Sequence, residues 1–272
     1  MKQIRIILIW SIAIIVVFLA SCQKSSDQQA AQKTDQQQTA APQQPADQAA
    51  QGQAPAQQPQ QTPAAAGSTQ AASEQLAPVD IKLPKPMFVG TPTNVAVPNL
   101  EKPLGHLRPP FLAPAGTKNV AFKKPVSGSD EQPIIGELTM VTDGDKEAQE
   151  GSYVELGPKL QYVTIDLKAN HTIYGILVWH YHKQPAVYHD VIVQVADDPD
   201  FITNVQTVFN NDIDNSAGRG VGKDMSYVET SEGKLIDAKG VQGRYVRLYS
   251  RGNTANDLNH YVEVEIYGKA VR

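Results

Sequence analysis

The amino-acid sequence predicts an all-β domain that follows a long N-terminal region without a core. Apolar and polar residues alternate at a period of two, as in 163–167 and 262–266. This period places one face of each strand on a core. Turn-rich segments such as 197–200 and 210–223 separate the runs, and no convincing helical window occurs. Many short strands between polar loops favour a sandwich or a barrel.

The first element of the chain is a predicted export signal. Basic residues precede an apolar run from Ile6 to Leu19, as in a signal peptide. This run is shorter than the about 20 residues of a membrane-spanning helix. It ends in Leu-Ala-Ser-Cys, which resembles the bacterial lipobox. The resemblance implies cleavage of a lipoprotein signal peptide at 1–21 and attachment of a lipid, with palmitate, to Cys22.

Cys22 is the only cysteine of the chain. A single cysteine excludes both a disulfide within the chain and a zinc site built from several cysteines. Lipidation at this residue would anchor the protein to a membrane of the bacterial cell envelope, outside the cytoplasm, at the periplasmic face or the cell surface. The alternative is an uncleaved signal anchor with an incidental cysteine.

Two segments separate the signal from the predicted domain at 120–272. Residues 22–75 are mainly Gln, Ala, Pro, Ser and Thr. This composition cannot repay the entropy of ordering, so we expect a disordered tether. Residues 76–119 combine many prolines with large apolar side chains. Since proline removes backbone donors, we expect an extended collar on the domain surface, with Phe88 and Phe111 as anchors.

Segments of the predicted domain resemble, in order, those of a discoidin domain, also called F5/8 type C, of the galactose-binding-like superfamily. They are 119–126, 141–145, 162–167, 176–180, 191–198, 243–248 and 262–268. The resemblance implies a jelly-roll β-sandwich that binds a ligand, often a sugar, and is not catalytic. We therefore expect a glycan or another envelope component as partner. A structural protein that docks a protein partner is the alternative.

The resemblance also implies a structural calcium ion between the first long loop and the last strand. By position, the ligands would be Asp143, Asp145, Glu263 and the carbonyl oxygen of Met140. Calcium takes about six to eight oxygen ligands and is well served by carboxylates and carbonyls. Ala148 stands where a relative offers a hydroxyl. The alternative is that the Asp-Gly-Asp sequence only forms a turn.

The candidate ligand site begins where a predicted strand ends, at His180. Sugar-binding relatives use a His, an Arg, an Asn and a stacking ring, because planar polar groups bind hydroxyls and the C–H face packs on the ring. The candidates are His180, Tyr181, His182, Tyr188, His189, Asn211, Asp212, Arg219, Asn259 and His260. Since 251–260 lacks Trp and Phe, Tyr181 or Tyr188 would supply the platform.

Two other interpretations of this segment stay open. In the first, its rings pack against the collar. In the second, His180, His182 and His189 bind zinc or iron in a cupin-like enzyme, although the glutamate and the second motif of cupins are missing. The sequence has no G-x-S-x-G, phosphate-binding glycine loop or H-E-x-x-H motif, so we expect no enzyme. A formal net charge of -4 argues against nucleic-acid binding.

Overall fold

The computed structural model describes residues 74–271. The predicted signal peptide, Cys22 and nearly all of the predicted tether lie outside these described residues. Within the described part of the chain, all regular elements are strands except one short 3₁₀ helix. No helix there is long and apolar enough to cross a membrane. The prediction of an all-β fold is confirmed.

Eleven strands occur in the described residues. They are β1 (Leu76–Pro78), β2 (Leu112–Pro114), β3 (Lys118–Asn119), β4 (Val126–Gly128), β5 (Val154–Leu156), β6 (Gln161–Trp179), β7 (Ile192–Ala196), β8 (Gln206–Asn210), β9 (Lys234–Ser250), β10 (Asn259–Tyr261) and β11 (Glu263–Ala270), with the 3₁₀ helix at Leu138–Thr142. Seven of them form one antiparallel sheet in the order β3-β11-β6-β9-β7-β8, with β4 also paired to β6. β1 pairs with β2, and β5 pairs with β10.

The long strands β6 and β9 fold this sheet into a sandwich. Their pairing is interrupted by register shifts between Asp166 and His171 and between Ile173 and Gly175. Such irregularities bend a strand. Side chains from both sides of the bend, including Ile165 and Ile176, belong to one buried core. The two halves of the sheet therefore pack on each other, which confirms the predicted sandwich.

The second half of β6 is buried on both of its faces. Ile176 and Val178 belong to the main core, whereas Leu177 and Trp179 belong to a second apolar cluster. Val79 of the collar packs against this second cluster. A strand that is covered on both faces does not need polar residues at alternate positions, which explains the nearly continuous apolar sequence here.

The collar is held on the sandwich by specific contacts. A methyl group added to Gly175 would come within 2.6 Å of the Phe111 ring, so the absence of a side chain in β6 makes room for this anchor. Arg108 donates to the carbonyl oxygens of Glu232 and Gly233 at 3.0 Å each. Phe88, the other predicted anchor, is half-buried.

One end of the sandwich is formed by the loops 180–191, 211–233 and 251–258, and we call it the loop end. Backbone bonds tie these loops together, because His189 N donates to Gly252 O at 3.0 Å and Glu229 N donates to Ala186 O at 2.8 Å. The end of β9 and the start of β10 also meet here, since Ser250 Oγ donates to Asn259 Oδ1 at 2.8 Å. Most of the predicted ligand residues lie in this region.

Candidate functional site

A buried network of polar side chains lies under the loop end. His180 directly follows β6, and its Nδ1 lies 3.1 Å from Glu229 Oε2. Its ring stacks on Tyr188 with centroids 4.2 Å apart. The Tyr188 hydroxyl lies 2.8 Å from His260 Nδ1, and His260 Nε2 lies 3.1 Å from Glu155 Oε2. These five residues form what we call the histidine network.

The protonation of the histidine network follows from its surroundings. Burial lowers the pKa of His260, against the opposing effect of Glu155, and burial raises the pKa of Tyr188 well above its ordinary value. A neutral His260 donates through Nε2 to the Glu155 carboxylate, which can only accept. Its bare Nδ1 then accepts from the Tyr188 hydroxyl. The network therefore has one consistent direction of donation.

His180 and Tyr188 do not reach the surface. Their residues are 0% and 2% exposed, respectively. His180 Nε2 and Glu229 Oε1 are buried and have no hydrogen-bond partner. A ligand at the surface cannot touch the ring of Tyr188, so this residue is no stacking platform in the structure. His180 and Tyr188, which were predicted to contact a ligand directly, therefore lie behind the surface in the structure.

Four predicted ligand residues outside the histidine network are also buried, and each holds a loop. His182 Nε2 lies 2.8 Å from Lys146 O. The Asn259 amide donates to the carbonyl oxygens of Gly157 and Lys159. Asn211 Oδ1 accepts from Val191 N at 2.7 Å, and the Asp212 carboxylate accepts from Ser216 N and Ala217 N. His182 Nδ1 and Asn211 Nδ2 are buried without a hydrogen-bond partner, so neither atom is exposed to a ligand at the surface.

Two predicted residues lie in the open on another part of the loop end. His189 and Arg219 are exposed, and the Arg219 guanidinium lies 5.1 Å from the centroid of the Tyr249 ring. The structure does not bring His180, His182 and His189 together as metal ligands. Among the described residues, one group of three has ligand atoms within 4.8 Å, and it consists of Asp190, Asp212 and Asp214.

A cluster of rings lies at the outer end of the network, and we call it the tyrosine rim. Tyr181 is partly exposed, whereas Tyr153 and His260 are 9% and 5% exposed. The ring centroid of Tyr181 lies 5.0 Å from that of Tyr153 and 5.9 Å from that of His260. The Glu155 side chain, which is 12% exposed, completes the rim. These side chains place aromatic faces, an imidazole and a carboxylate within one small surface.

Tyr153 and Glu155 were not predicted as site residues. The alternation around β5 could have identified them. Val154 and Leu156 are fully buried, and Tyr153 and Glu155, which alternate with them, face the other way. The pairing of β5 with β10 then sets Glu155 opposite His260. This pairing joins distant parts of the chain, so the pattern of β5 alone does not show which side chains it meets.

The predicted calcium ligands meet at the side of the loop end. Glu263 is 0% exposed, and its Oε2 accepts from Gly144 N at 3.0 Å. Its Oε1 has no hydrogen-bond partner. Burial, opposed by the bond from Gly144 and assisted by Glu265 and Asp143, raises the pKa of Glu263 to about 9. A cation would supply the partner that this carboxylate lacks.

The loop beside Glu263 offers further oxygen atoms. Asp143 Oδ1 accepts from Asp145 N at 2.7 Å, and Met140 O accepts from Asp143 N at 3.4 Å. The carboxylates of Asp143, Asp145 and Glu263 do not all lie within 4.8 Å of one another. The donor set is therefore of the type that calcium prefers, centred on a buried carboxylate, without being a closed cage.

Comparisons with known proteins give a likeness of fold at low sequence identity. No protein-family model and no curated protein matches the chain. Chitosan-binding module 1 of a chitosanase/glucanase from Paenibacillus sp. IK-5 is 18% identical, with a TM-score of 0.41 over 56% of this chain and 99% of that chain. A fucose-binding module from Streptococcus pneumoniae is 18% identical, with a TM-score of 0.40 over 55% and 97%.

A third solved structure is the CBM32 of AlyQ in complex with 4,5-unsaturated mannuronic acid. It is 16% identical, with a TM-score of 0.37 over 53% of this chain and 95% of that chain. The β-sandwich of the present protein is defined by its own strand order and core. Its candidate site is defined by the contacts within the loop end.

Proposed function

We propose that this protein is a non-catalytic binding protein of the bacterial envelope that holds carbohydrate at the tyrosine rim. The observation that carries the proposal is the partly exposed ring of Tyr181, whose centroid lies 5.9 Å from that of His260, which in turn holds the carboxylate of Glu155. A sugar presents both an apolar C–H face and hydroxyl groups. The ring would pack on the first, and the carboxylate would accept hydrogen bonds from the second.

The histidine network supports this function from behind. Glu155 is held by His260, and His260 is held by Tyr188. A carboxylate that is fixed before the ligand arrives loses less conformational freedom on binding. The buried polar residues of the loop end would thus contribute to binding through Glu155 and Tyr181, without touching the sugar.

We also propose that calcium binds beside Glu263. The support is the unpartnered buried oxygen of Glu263 next to the Asp-Gly-Asp loop. Asp143, Asp145, Glu263 and the carbonyl oxygen of Met140 would hold the ion. The ion would neutralise the buried carboxylate and join the loop to β11, so its role would be structural.

The membrane anchor is a further proposal, and it rests on the lipobox-like sequence at Cys22. Mass spectrometry of the protein purified from a bacterial membrane would test it. A mature chain that begins at Cys22 and carries acyl groups is expected. The Cys22→Ser variant should keep its signal peptide and carry no lipid. An unmodified thiol in the membrane-bound wild type would contradict the proposal.

A protein partner is the second candidate, because the collar exposes apolar side chains. Met87, Val89, Leu104 and Leu107 are each more than half exposed. Exposed apolar side chains of this kind are typical of interaction sites, and a protein partner would cover them. This candidate is compatible with carbohydrate binding, so the two can be tested separately.

A glycan array tests the main proposal. The full chain, purified in detergent, is applied as the wild type, as Tyr181→Ala and as Tyr174→Ala. Tyr174 is a matched control, since it is a half-buried tyrosine of β6 that lies against Gly240, away from the rim. We expect reproducible binding that is lost in Tyr181→Ala and kept in Tyr174→Ala. Equal binding by all three forms, or none, would contradict the proposal.

A further inference from the structure

We infer that the tyrosine rim selects sugars that carry a positively charged amine over neutral and acidic sugars. This inference rests on the proposed carbohydrate function and adds the chemical class of the ligand. It is drawn from the arrangement of the rings and from the charges that surround them.

The rings of the rim form a triangle of electron-rich faces. The centroid of Tyr153 lies 5.0 Å from that of Tyr181 and 5.9 Å from that of His260, with interplanar angles of 51° and 57°. Tyr181 and His260 are 5.9 Å apart and inclined by 41°. Tyr181 is partly exposed and packs against the second apolar cluster, to which Tyr153 also belongs. The face of a tyrosine ring attracts an ammonium group within about 6 Å.

The charges at the rim are negative. Burial is the main reason why the pKa of Tyr153 is raised, and Glu155, Tyr181 and Glu150 raise it further. The carboxylate of Glu155 belongs to the rim through its contact of 3.1 Å with His260. His260 adds no positive charge at neutral pH, because burial lowers its pKa. An arriving cation would meet aromatic faces together with carboxylates.

The lysine that lies under this region is already engaged. Lys146 Nζ lies 2.7 Å from Glu265 Oε1 and 5.1 Å from the centroid of the Trp179 ring. Lys183, which is half-buried and follows Tyr181 by two residues, is the basic residue nearest to the rim in sequence. If Lys183 set the preference, the rim would favour acidic sugars, and the test below includes this outcome.

An amine distinguishes between ligand classes at this site. An ammonium group would form a charge-assisted hydrogen bond with Glu155, which is stronger than a bond from a neutral hydroxyl. An N-acetyl group would keep the sugar ring and lose the charge. A uronic acid would place its carboxylate against Glu155 and Glu150, which is unfavourable.

The test compares three oligosaccharides of equal length with the full chain in detergent. They are a β-1,4-linked glucosamine oligomer at a pH where its amines are protonated, its N-acetylated form, and a uronic acid oligomer. Isothermal titration gives the affinities of the wild type, Glu155→Gln and Asp200→Asn. Asp200 is the control, because it is exposed and follows β7 at the end of the sandwich away from the rim.

We expect the glucosamine oligomer to bind about tenfold more tightly than its N-acetylated form, since hydrogen bonds to charged groups are worth about 1.5–3 kcal/mol. Glu155→Gln should remove this preference, and Asp200→Asn should keep it. Equal or tighter binding of the N-acetylated or the uronic acid oligomer overturns the inference and leaves the proposed function intact. If no carbohydrate binds, on the array or in titration, both fail. If Glu155→Gln does not fold, the ratios for the wild type decide.

Discussion

The loop end contains two histidine–glutamate pairs with the same separation and different surroundings. His180 Nδ1 and Glu229 Oε2 are 3.1 Å apart, and both side chains are 0% exposed. His260 Nε2 and Glu155 Oε2 are also 3.1 Å apart, but their side chains are 6% and 12% exposed. The first pair lies in the core, whereas the second pair opens onto the tyrosine rim.

The difference shows that burial, rather than pairing, decides what each pair can do. The inner pair has no access to a ligand, and its unpartnered atoms, His180 Nε2 and Glu229 Oε1, remain inside the protein. Such a pair contributes to the structure, and removing one member leaves the other without compensation. The outer pair keeps part of Glu155 in contact with solvent, so it is available for recognition.

The largest expected effect is the loss of the inner pair. His180→Ala would leave the Glu229 carboxylate buried without a partner, and it should lower the free energy of unfolding by about 3–5 kcal/mol. Urea denaturation at neutral pH would measure the loss. The double variant His180→Leu and Glu229→Leu should lose less than the sum of the two single variants, because no charge stays unpaired. A loss below about 1 kcal/mol in His180→Ala would mean that the inner pair, like the outer pair, contributes little to stability.

Calcium should have the next largest effect, because Glu263 is a buried carboxylate at the loop end that has no histidine beside it. We expect added calcium to raise the free energy of unfolding, by about 2.7 kcal/mol at a hundredfold excess over its Kd. Thermal unfolding in chelator and in calcium would measure it. Glu263→Gln should lose the response, and Asp200→Asn should retain it. An unchanged melting temperature in the wild type would contradict the calcium proposal.

The outer pair should make stability depend on pH in a defined direction. Burial lowers the pKa of His260 in the folded protein, so the unfolded chain binds the proton more readily. The contribution of the neutral ring is therefore present above the ordinary histidine pKa of about 6.5 and decreases as the pH falls below it, by at most about 1.4 kcal/mol per pH unit. Unfolding between pH 8 and pH 5 would measure the slope.

The His260→Gln variant serves as the control for this slope. Glutamine lacks a titrating group in this range, so as the pH falls from 8 to 5 the stability of the variant should decrease less, or increase more, than that of the wild type. A slope that stays the same in the variant would assign the dependence to other groups. Glu263, whose pKa burial raises to about 9, acts in the opposite direction in both forms, because its folded state binds a proton that the unfolded chain releases in this range. The difference between the wild type and His260→Gln therefore gives the contribution of His260, and a difference of the opposite sign would show that Glu155 outweighs burial at His260.

The strands were the part of the molecule that the sequence could predict. The alternation at 163–167 lies within β6, and that at 262–266 lies within β11 except for Val262. In β11 the polar positions Glu263 and Glu265 are buried as well, so the period of two marks the strand there without an exposed face. The nearly continuous apolar run before His180 also lies within β6, where the second apolar cluster covers the other face of the strand. Local patterns of this kind follow from the backbone itself.

The candidate site was less accessible to prediction, because its contacts join distant parts of the chain. His180 follows a strand and reads as a surface residue until Glu229, far along the sequence, is seen to close over it. Glu155 reaches His260 only through the pairing of β5 with β10. The residue types alone show that the loop end is polar and aromatic. Which of these side chains are buried depends on contacts between distant segments, and a local sequence period does not encode such contacts.

The smallest expected effect on stability is that of Glu155→Gln, and it sharpens the contrast with the inner pair. Because Glu155 is partly exposed, solvent screens its attraction to His260, and the free energy of unfolding should fall by less than about 1 kcal/mol. Urea denaturation beside His180→Ala would measure both losses in one series. The same variant should change ligand preference, whereas His180→Ala should act mainly on stability. A large loss in Glu155→Gln would mean that both pairs are structural, and the tyrosine rim would then have no carboxylate free for a ligand.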